Sequence, residues 1–265
     1  MKAAGIAVLA LTVLAMPVSA QQPANQAERV AEFAELPYWP GYWVSEYTIG
    51  TTIGGLAPAL LAARESGDAT VTRNFMSLNA SRADWNEEGQ ERVAQNRAIS
   101  AGRKAAGWGF PMMMNAATPI MFVITPEHTI ISNSYNETRH IYTDGRPMPD
   151  ELDLWPTTYG TSIGHWEGNT LVVETRMVTR PSDYFHGAPP FSEDAVYHER
   201  LTLEGDKLVG EYRVEDPTTL NQPYETTVSW LRDEGFDRMV QIDWDNDRTG
   251  VDETGTNTIE MEVQD

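Results

Sequence analysis

Hydrophobic and polar residues alternate over most of the chain after residue 107, in short runs that Gly, Asn and Asp residues separate. Such runs are typical of β-strands joined by tight turns. The pattern predicts strands at residues 120–125, 129–135, 138–143, 159–166, 170–177, 196–203, 207–214, 226–232, 238–244 and 257–263. Because no helical segments alternate with them, these strands indicate a mainly β fold, an antiparallel sandwich or barrel, and we favour the barrel.

The pattern before residue 107 is helical. Apolar residues recur at helical spacing in residues 26–35, 55–66 and 81–104. The third segment has acidic residues near its start and basic residues toward its end, which matches the helix dipole. We therefore expect a helical amino-terminal region over residues 21–106, packed outside or across one end of a barrel domain formed by residues 107–265.

The first 20 residues have the pattern of a secretory signal peptide. Lys2 precedes an apolar stretch over residues 3–16, and the small residues Val18, Ser19 and Ala20 form a cleavage signal. The stretch is too short to span a membrane. The pattern predicts cleavage near Ala20 and a mature protein in the periplasm or outside the cell. Export argues against ATP, NAD or another cytosolic cofactor, so we expect none.

Composition narrows the classes of partner. The chain has 39 acidic and 19 basic residues, a formal charge of −20, which would repel nucleic-acid phosphates and anionic membranes. The absence of Cys excludes disulfides, thiolate metal sites and cysteine nucleophiles. We expect a small apolar molecule as the partner, with no nucleic acid, no membrane insertion and no metal site. The oligomeric state stays open.

Two similar segments, residues 165–174 and 202–211, predict hairpins that decide which side chains face inward. Each has a Gly-Asn or Gly-Asp pair between β-rich runs, which suits a two-residue loop with Gly first. The predicted inward pairs are Leu203/Leu208, Leu201/Gly210, Glu199/Tyr212 and Tyr197/Val214 in the second hairpin, and Trp166/Leu171, Gly164/Val173 and Ser162/Thr175 in the first. Because His165, His198 and Arg200 then face outward, the register has a clear inside.

This register predicts a polar layer inside an apolar wall. Glu199 lies opposite Tyr212, and Ser162 and Thr175 occupy the equivalent level of the first hairpin. A carboxylate that loses hydration among apolar side chains suits general acid/base catalysis. The alternative is a structural role, in which Glu199 accepts hydrogen bonds from Tyr212 and a nearby Arg.

Other motifs carry weaker chemical signals. Residues 160–164 have the spacing of a nucleophile elbow, but they run into a predicted hairpin rather than a helix, which disfavours a serine hydrolase. Asp243, Asp245 and Asp247 alternate as in a calcium loop, but Arg248 stands where that loop requires Gly. Whether this acidic run binds calcium stays open.

Two longer motifs resemble a family of exported bacterial proteins, most of them known only as hypothetical secreted proteins. The first motif, residues 139–149, begins with the pattern R-x-I-Y-T-D-G-R over residues 139–146. The second, residues 159–175, contains the pattern G-x-S-x-G-x-W-E-G-x-T-L-V-V over residues 160–173. The resemblance implies a lipocalin-like, or calycin-like, β-barrel, and it implies no particular activity. The family usually has His where Met148 stands and another His near Pro190 and Phe191, so this chain lacks those imidazoles.

The leading functional hypothesis is an exported, cofactor-independent acid/base enzyme, an isomerase, lyase, cyclase or hydratase, acting on a small, largely apolar molecule inside the barrel. In this hypothesis Glu199 moves the proton, Tyr212 and Tyr142 donate hydrogen bonds to developing negative charge, and His140 or His186 is the second acid/base. The predicted ligand-binding residues are Arg139 for an anionic group, the polar Ser162 and Thr175, and the aromatic wall Trp155, Tyr159, Trp166, Tyr184 and Trp230.

The alternative is a non-catalytic, lipocalin-like carrier that uses the same interior for a small hydrophobic ligand. Barrels of about eight strands hold one small ligand without any chemistry. A Glu199→Gln substitution separates the two classes, because an enzyme would lose turnover at retained affinity.

Overall fold

The computed structural model describes residues 25–45, 78, 80, 82–99, 107–115, 119–181, 188–235, 237–239, 241, 249–251 and 257–259. Its helices are α1 (Gln26–Ala34) and α2 (Glu87–Ile99), with short 3-10 turns at Met112–Asn115 and Glu151–Asp153. Its strands are β1 (Tyr42–Ser45), β2 (Ile120–Ile124), β3 (His128–Asn133), β4 (Thr138–Tyr142), β5 (Thr161–Glu167), β6 (Thr170–Arg176), β7 (Val196–Glu204), β8 (Lys207–Glu215), β9 (Tyr224–Asp233), β10 (Thr249–Val251) and β11 (Asn257–Ile259).

Strands β1 to β9 form one closed barrel in which each strand pairs with its neighbours in sequence. The ring closes where β1 pairs antiparallel with β9. An odd number of strands cannot alternate in direction all the way round a ring, so one pair has to be parallel, and that pair is β4–β5. The predicted mainly β barrel is confirmed, and the β4–β5 pair is its one departure from the predicted antiparallel pairing.

Strands β2 to β9 lie within a few residues of predicted strands. The sequence analysis missed β1, a barrel strand that lies in the region expected to be helical. Arg238 and Met239, at the start of the predicted strand 238–244, are not in a strand, and most of that segment lies outside the described residues. Strand β11 begins at the predicted Asn257 and pairs with β10 in a separate two-stranded sheet.

Both described helices were predicted. Helix α1 begins after Asn25, whose side-chain Oδ1 accepts hydrogen bonds from the backbone N–H groups of Ala27 and Glu28. Arg29 of α1 donates to Glu127 between β2 and β3 at 2.7 Å, which fastens the helix to the outside of the barrel. Neither α1 nor α2 combines the length and the apolar character needed to cross a bilayer. The predicted helix 55–66 and the predicted signal peptide lie outside the described residues.

The predicted hairpin registers are confirmed. Strand β7 pairs with β8 through the inward pairs Glu199/Tyr212 and Tyr197/Val214. Strand β5 pairs with β6 through Ser162/Thr175 and the other predicted pairs. Burial alternates along these strands accordingly. The backbone pairing therefore places a set of polar side chains from neighbouring strands inside the barrel.

Candidate functional site

The barrel interior contains a layer of buried polar side chains from five consecutive strands. The layer consists of Arg139 from β4, Ser162 from β5, Thr175 from β6, Glu199 from β7 and Tyr212 from β8. None of the five residues exposes more than 3% of its surface. Because side chains alternate between the two faces of a strand, apolar residues two positions along, such as Ile141, Val173 and Leu201, face the same way. We call this set the polar layer.

An ion pair between Arg139 and Glu199 organises the polar layer. The guanidinium donates from Nη1 to Glu199 Oε1 at 3.0 Å and from Nη2 to the other carboxylate oxygen, Oε2. The same guanidinium donates to Thr175 Oγ1 at 2.7 Å and to Ser162 Oγ at 3.2 Å. Both charged side chains are fully buried. The bidentate geometry neutralises the two charges and makes the layer electrically neutral as a whole.

Two tyrosine hydroxyls on the inner face have no hydrogen bond of normal geometry to any described residue, those of Tyr197 and Tyr212. Burial raises the pKa of Tyr212 well above its usual value, and the negative charge of the nearby Glu199 raises it further. Burial likewise raises the pKa of Tyr197, with a smaller contribution from Asp216. Both phenols are therefore neutral donors, and the pairing of β7 with β8 makes them diagonal neighbours, roughly 7 Å apart at Cβ.

An irregular segment, residues 107–114, closes one end of the barrel; we call it the plug. Phe110 of the plug lies over the guanidinium of Arg139, at 4.1 Å from its carbon to the ring centre, and contacts Tyr197 edge to face. Met113 and Met114 are fully buried. The indole Nε1 of Trp230 donates to the backbone oxygen of Met114 at 2.9 Å. The plug therefore covers the polar layer directly.

The opposite end, where the β5–β6 and β7–β8 turns lie, is covered by Trp39. This side chain is almost fully buried and packs edge to face on Trp166 and Phe122. Its Nε1 donates to Asn169 Oδ1 in the β5–β6 turn at 2.9 Å. Trp39 packs on the rings of Trp166 and Phe122, whereas the plug contacts the polar layer, so the two ends of the barrel differ in what a small molecule would meet.

The remaining predicted site residues do not join the polar layer. His140 is exposed and Tyr142 half-buried, both on the outer face of β4, because Arg139 takes the inward position on that strand. Trp155 is 70% exposed. His140, Tyr142 and Trp155 therefore cannot contact a ligand inside the barrel. His186 and Tyr184 lie outside the described residues.

The other predicted wall residues lie at the ends of the interior. Tyr159 is half-buried at the plug end, where its hydroxyl donates to Glu137 at 3.3 Å. Trp230 is buried between β8 and the plug, to which its indole donates. Trp166 is half-buried at the other end, where its ring packs on Trp39. These contacts hold the barrel ends together. Whether any of the three residues contacts a ligand stays a prediction.

Open space in the described part of the structure lies on its surface. One shallow depression of about 430 Å³ runs across the outer face of β7, β8 and β9 and is lined mainly by charged residues and threonines. Another, of about 460 Å³, lies beside the first turn of α2. Among the described residues, no three His, Asp or Glu side chains cluster as metal ligands would. The polar layer, the plug and apolar side chains of the strands are buried together in the interior.

Sequence reasoning missed the plug and the residue that holds it. Residues 107–114 follow neither helical nor strand periodicity. The run Met112-Met113-Met114 indicates a core filler or adaptable apolar contacts to a ligand, and the structure buries all three side chains. Glu137 lies in a β3–β4 turn, a place where a carboxylate is usually solvated. Its burial at 4% exposure results from contacts with residues 28 and 29 positions earlier in the chain.

Comparison with known proteins adds little to this description. No known family profile and no curated protein sequence matches the chain. Among solved structures, the chain is similar to an abundant heat soluble (SAHS) protein from Ramazzottius varieornatus, at 13% identity and a TM-score of 0.28, over 58% of this chain and 90% of that one. So distant a similarity supports no conclusion about function. The predicted membership of an exported bacterial family has no support from these comparisons and stays a prediction.

Proposed function

We propose that the protein binds a small, uncharged, largely apolar molecule inside the barrel, with a hydrogen-bond acceptor of that molecule directed at Tyr197 and Tyr212. The observation that carries this proposal is the pair of buried hydroxyls without partners. Buried hydroxyls in folded proteins almost always have a hydrogen-bond partner. A carbonyl or ether oxygen between two neighbouring phenols would supply one.

The charges of the polar layer favour an uncharged ligand. Glu199 already neutralises Arg139 through two hydrogen bonds. A charged ligand would lose its hydration without meeting an unpaired opposite charge, which is costly in a dry interior. The anion-binding role predicted for Arg139 is therefore not part of this proposal.

The plug favours an apolar body for the ligand. Its buried side chains are Phe110, Met112, Met113 and Met114. Methionine is unbranched and adapts its shape to different neighbours, so these side chains could repack around a guest molecule. The ligand would occupy space that Phe110 and the methionines fill when the barrel is empty.

Prodan, a neutral naphthyl ketone whose fluorescence changes in apolar surroundings, tests this proposal. We expect saturable binding with a blue-shifted emission. Tyr197→Phe and Tyr212→Phe should each weaken binding by about threefold to tenfold, because each removes one neutral hydrogen bond to the ketone. Tyr197→Phe should not lower the free energy of unfolding of the free protein, since its hydroxyl has no partner to lose. Tyr212→Phe also removes a contact between its hydroxyl and the Glu199 carboxylate, so Tyr197→Phe is the cleaner test.

The controls separate recognition of the ketone from apolar adsorption. Tyr142→Phe removes a phenol from the outer face of β4 and should leave the prodan affinity unchanged. A dimethylaminonaphthalene without the propionyl group should bind wild type and both inner-face variants equally. Equal prodan affinities in wild type, Tyr197→Phe and Tyr212→Phe would contradict the proposal, as would a lack of saturable binding.

An acid/base enzyme is the second candidate function, favoured by the position of Tyr212 beside Glu199. A carboxylate could take a proton from carbon next to a bound carbonyl while a neutral phenol stabilised the enolate oxygen. The bidentate bond from Arg139 opposes this role, because both carboxylate oxygens already accept hydrogen bonds from the guanidinium.

Deuterium exchange distinguishes the two candidates. Prodan carries a methylene group next to its carbonyl, and a catalytic base would exchange those protons for deuterons in heavy water. We expect exchange at the buffer rate for wild type, measured by the mass of the recovered ketone. Faster exchange that Glu199→Gln abolishes, at unchanged affinity, would favour the enzyme and replace the carrier function.

A further inference from the structure

A single buried carboxylate, that of Glu137, holds the backbone of the plug. Its Oε1 accepts hydrogen bonds from the N–H groups of Trp108 at 2.7 Å and Gly109 at 2.8 Å. Its Oε2 accepts from Asn133 Nδ2 at 2.7 Å. Glu137 forms no ion pair with a basic side chain in the described part of the chain, so its charge is stabilised by N–H and O–H donors alone. Bonds of this kind to a buried charge are stronger than neutral ones.

The rest of the plug has few hydrogen bonds to the barrel. Within the described residues these are the bond from the Phe110 N–H to the Thr158 oxygen, at 3.1 Å, and the bond from Trp230 to Met114. By contrast, parting β8 from β9 would break a ladder of eight residue pairs. Displacing the plug would break these bonds and the two to Glu137, fewer than the ladder between β8 and β9.

The position of the plug connects this local opening to the polar layer. Phe110 packs over the Arg139 guanidinium and contacts Tyr197, which Phe191 also contacts. Moving the plug outward would expose the unpartnered phenols that the proposed ligand would meet. Moving Trp39 at the other end would uncover the rings of Trp166 and Phe122 rather than the polar layer.

We infer that the plug is the gate through which the ligand enters, and that Glu137 is the latch that keeps the gate closed. This inference rests on the proposed ligand-binding function. A closed state that excludes the ligand lowers its apparent affinity by the fraction of molecules that are open. The strength of the Glu137 bonds therefore regulates both the rate and the extent of binding.

Glu137→Gln weakens the latch with little change in shape. The substitution removes the negative charge and places an NH₂ group opposite Asn133 Nδ2, also a donor. The Asn133 amide cannot turn over freely, because its Oδ1 accepts from the N–H groups of Tyr135 and residue 137. We expect prodan to associate roughly fivefold to tenfold faster, measured by stopped-flow fluorescence, which is the factor that separates charged from neutral hydrogen bonds.

Two control variants test through which end of the barrel prodan enters and whether the effect is specific to Glu137. Trp39→Phe loosens the opposite end by removing the indole bond to Asn169, and it should leave the association rate unchanged. Asp216→Asn weakens another buried carboxylate at the plug end, one that binds Ser192 and Thr219 and no plug residue, and it too should have no effect on the rate. Faster association in Trp39→Phe but not in Glu137→Gln would overturn the inference.

Hydrogen exchange without any ligand separates the gate from the binding function. In Glu137→Gln we expect the Trp108 and Gly109 amides to exchange faster while the β7 and β8 amides stay protected. Faster exchange of the plug amides in a protein that does not bind prodan would support the gate and contradict the proposed ligand-binding function. Plug amides that exchange only with global unfolding would overturn the gate even if prodan binds. If Glu137→Gln does not fold, Tyr159→Phe removes a weaker donor to the same carboxylate and should give a smaller change in the same direction.

Discussion

Replacing Arg139 by Met should lower the free energy of unfolding by about 3–5 kcal/mol, because the substitution leaves the Glu199 carboxylate buried without its opposite charge. Neither side chain has exposed surface through which water could stabilise the remaining charge. The substitution also removes the donors that Ser162 and Thr175 accept from. Urea denaturation followed by tryptophan fluorescence measures the effect, which corresponds to a fall in melting temperature of roughly 10 °C.

The double variant Arg139→Met/Glu199→Leu should recover most of that loss. Apolar residues of similar volume often replace a buried ion pair at no cost in stability, whereas removing one partner alone is expensive. Arg213→Met is the matched control, since Arg213 pairs with Glu225 on the exposed face of β8 and should contribute about 1 kcal/mol or less. A loss in Arg139→Met no larger than in Arg213→Met would contradict the prediction.

Recovery in the double variant would bear on function as well as stability. If apolar side chains can fill the same space, the barrel does not require a charged pair to fold. A polar layer that is unnecessary for stability, beside two phenols without partners, is better explained by recognition of a ligand.

The sequence predicts which side chains of the hairpins face the barrel interior, but it does not predict which side chains of β4 do, where β4 pairs in parallel with β5. A two-residue turn fixes the register of β7 against β8, and a polar outer face then fixes which side is inside, so Glu199 and Tyr212 could be placed in advance. Strand β4 joins β5 through a long connection rather than a hairpin, and no turn fixes its phase. Arg139 and His140 are adjacent and cannot both face inward, and the structure turns Arg139 inward.

The contacts that close the barrel ends could not be predicted for a different reason. Trp39 and Phe110 lie in irregular segments, where periodicity gives no information about burial. Glu137 is buried only because the backbone of Trp108 and Gly109 reaches it from a distant part of the chain. Such contacts depend on tertiary packing, so a single sequence predicts the wall of this barrel better than its ends.

Replacing Gly160 by Ala should destabilise the protein by about 3 kcal/mol, because the position combines a left-handed backbone with a close approach of β6. Gly160 has a φ of 65°, which costs side-chain-bearing residues free energy. A Cβ atom there would lie 2.5 Å from the backbone oxygen of Arg176 and 3.0 Å from Thr175 Cγ2. Relief of this clash would push β5 away from β6, next to the hydrogen bond between Ser162 and Thr175.

Gly168 is the matched control for the backbone term, since it has a φ of 60° and nothing within 4 Å of the place that an alanine Cβ would take. Gly168→Ala should therefore cost only the left-handed conformation, about 1 kcal/mol. The difference between the two variants in urea denaturation isolates the steric contact between β5 and β6. Equal losses of free energy of unfolding in the two variants would contradict this prediction, because they would mean that the strands can separate at Gly160 without cost. The close packing that brings Ser162 to Thr175 would then contribute little to the stability of the polar layer.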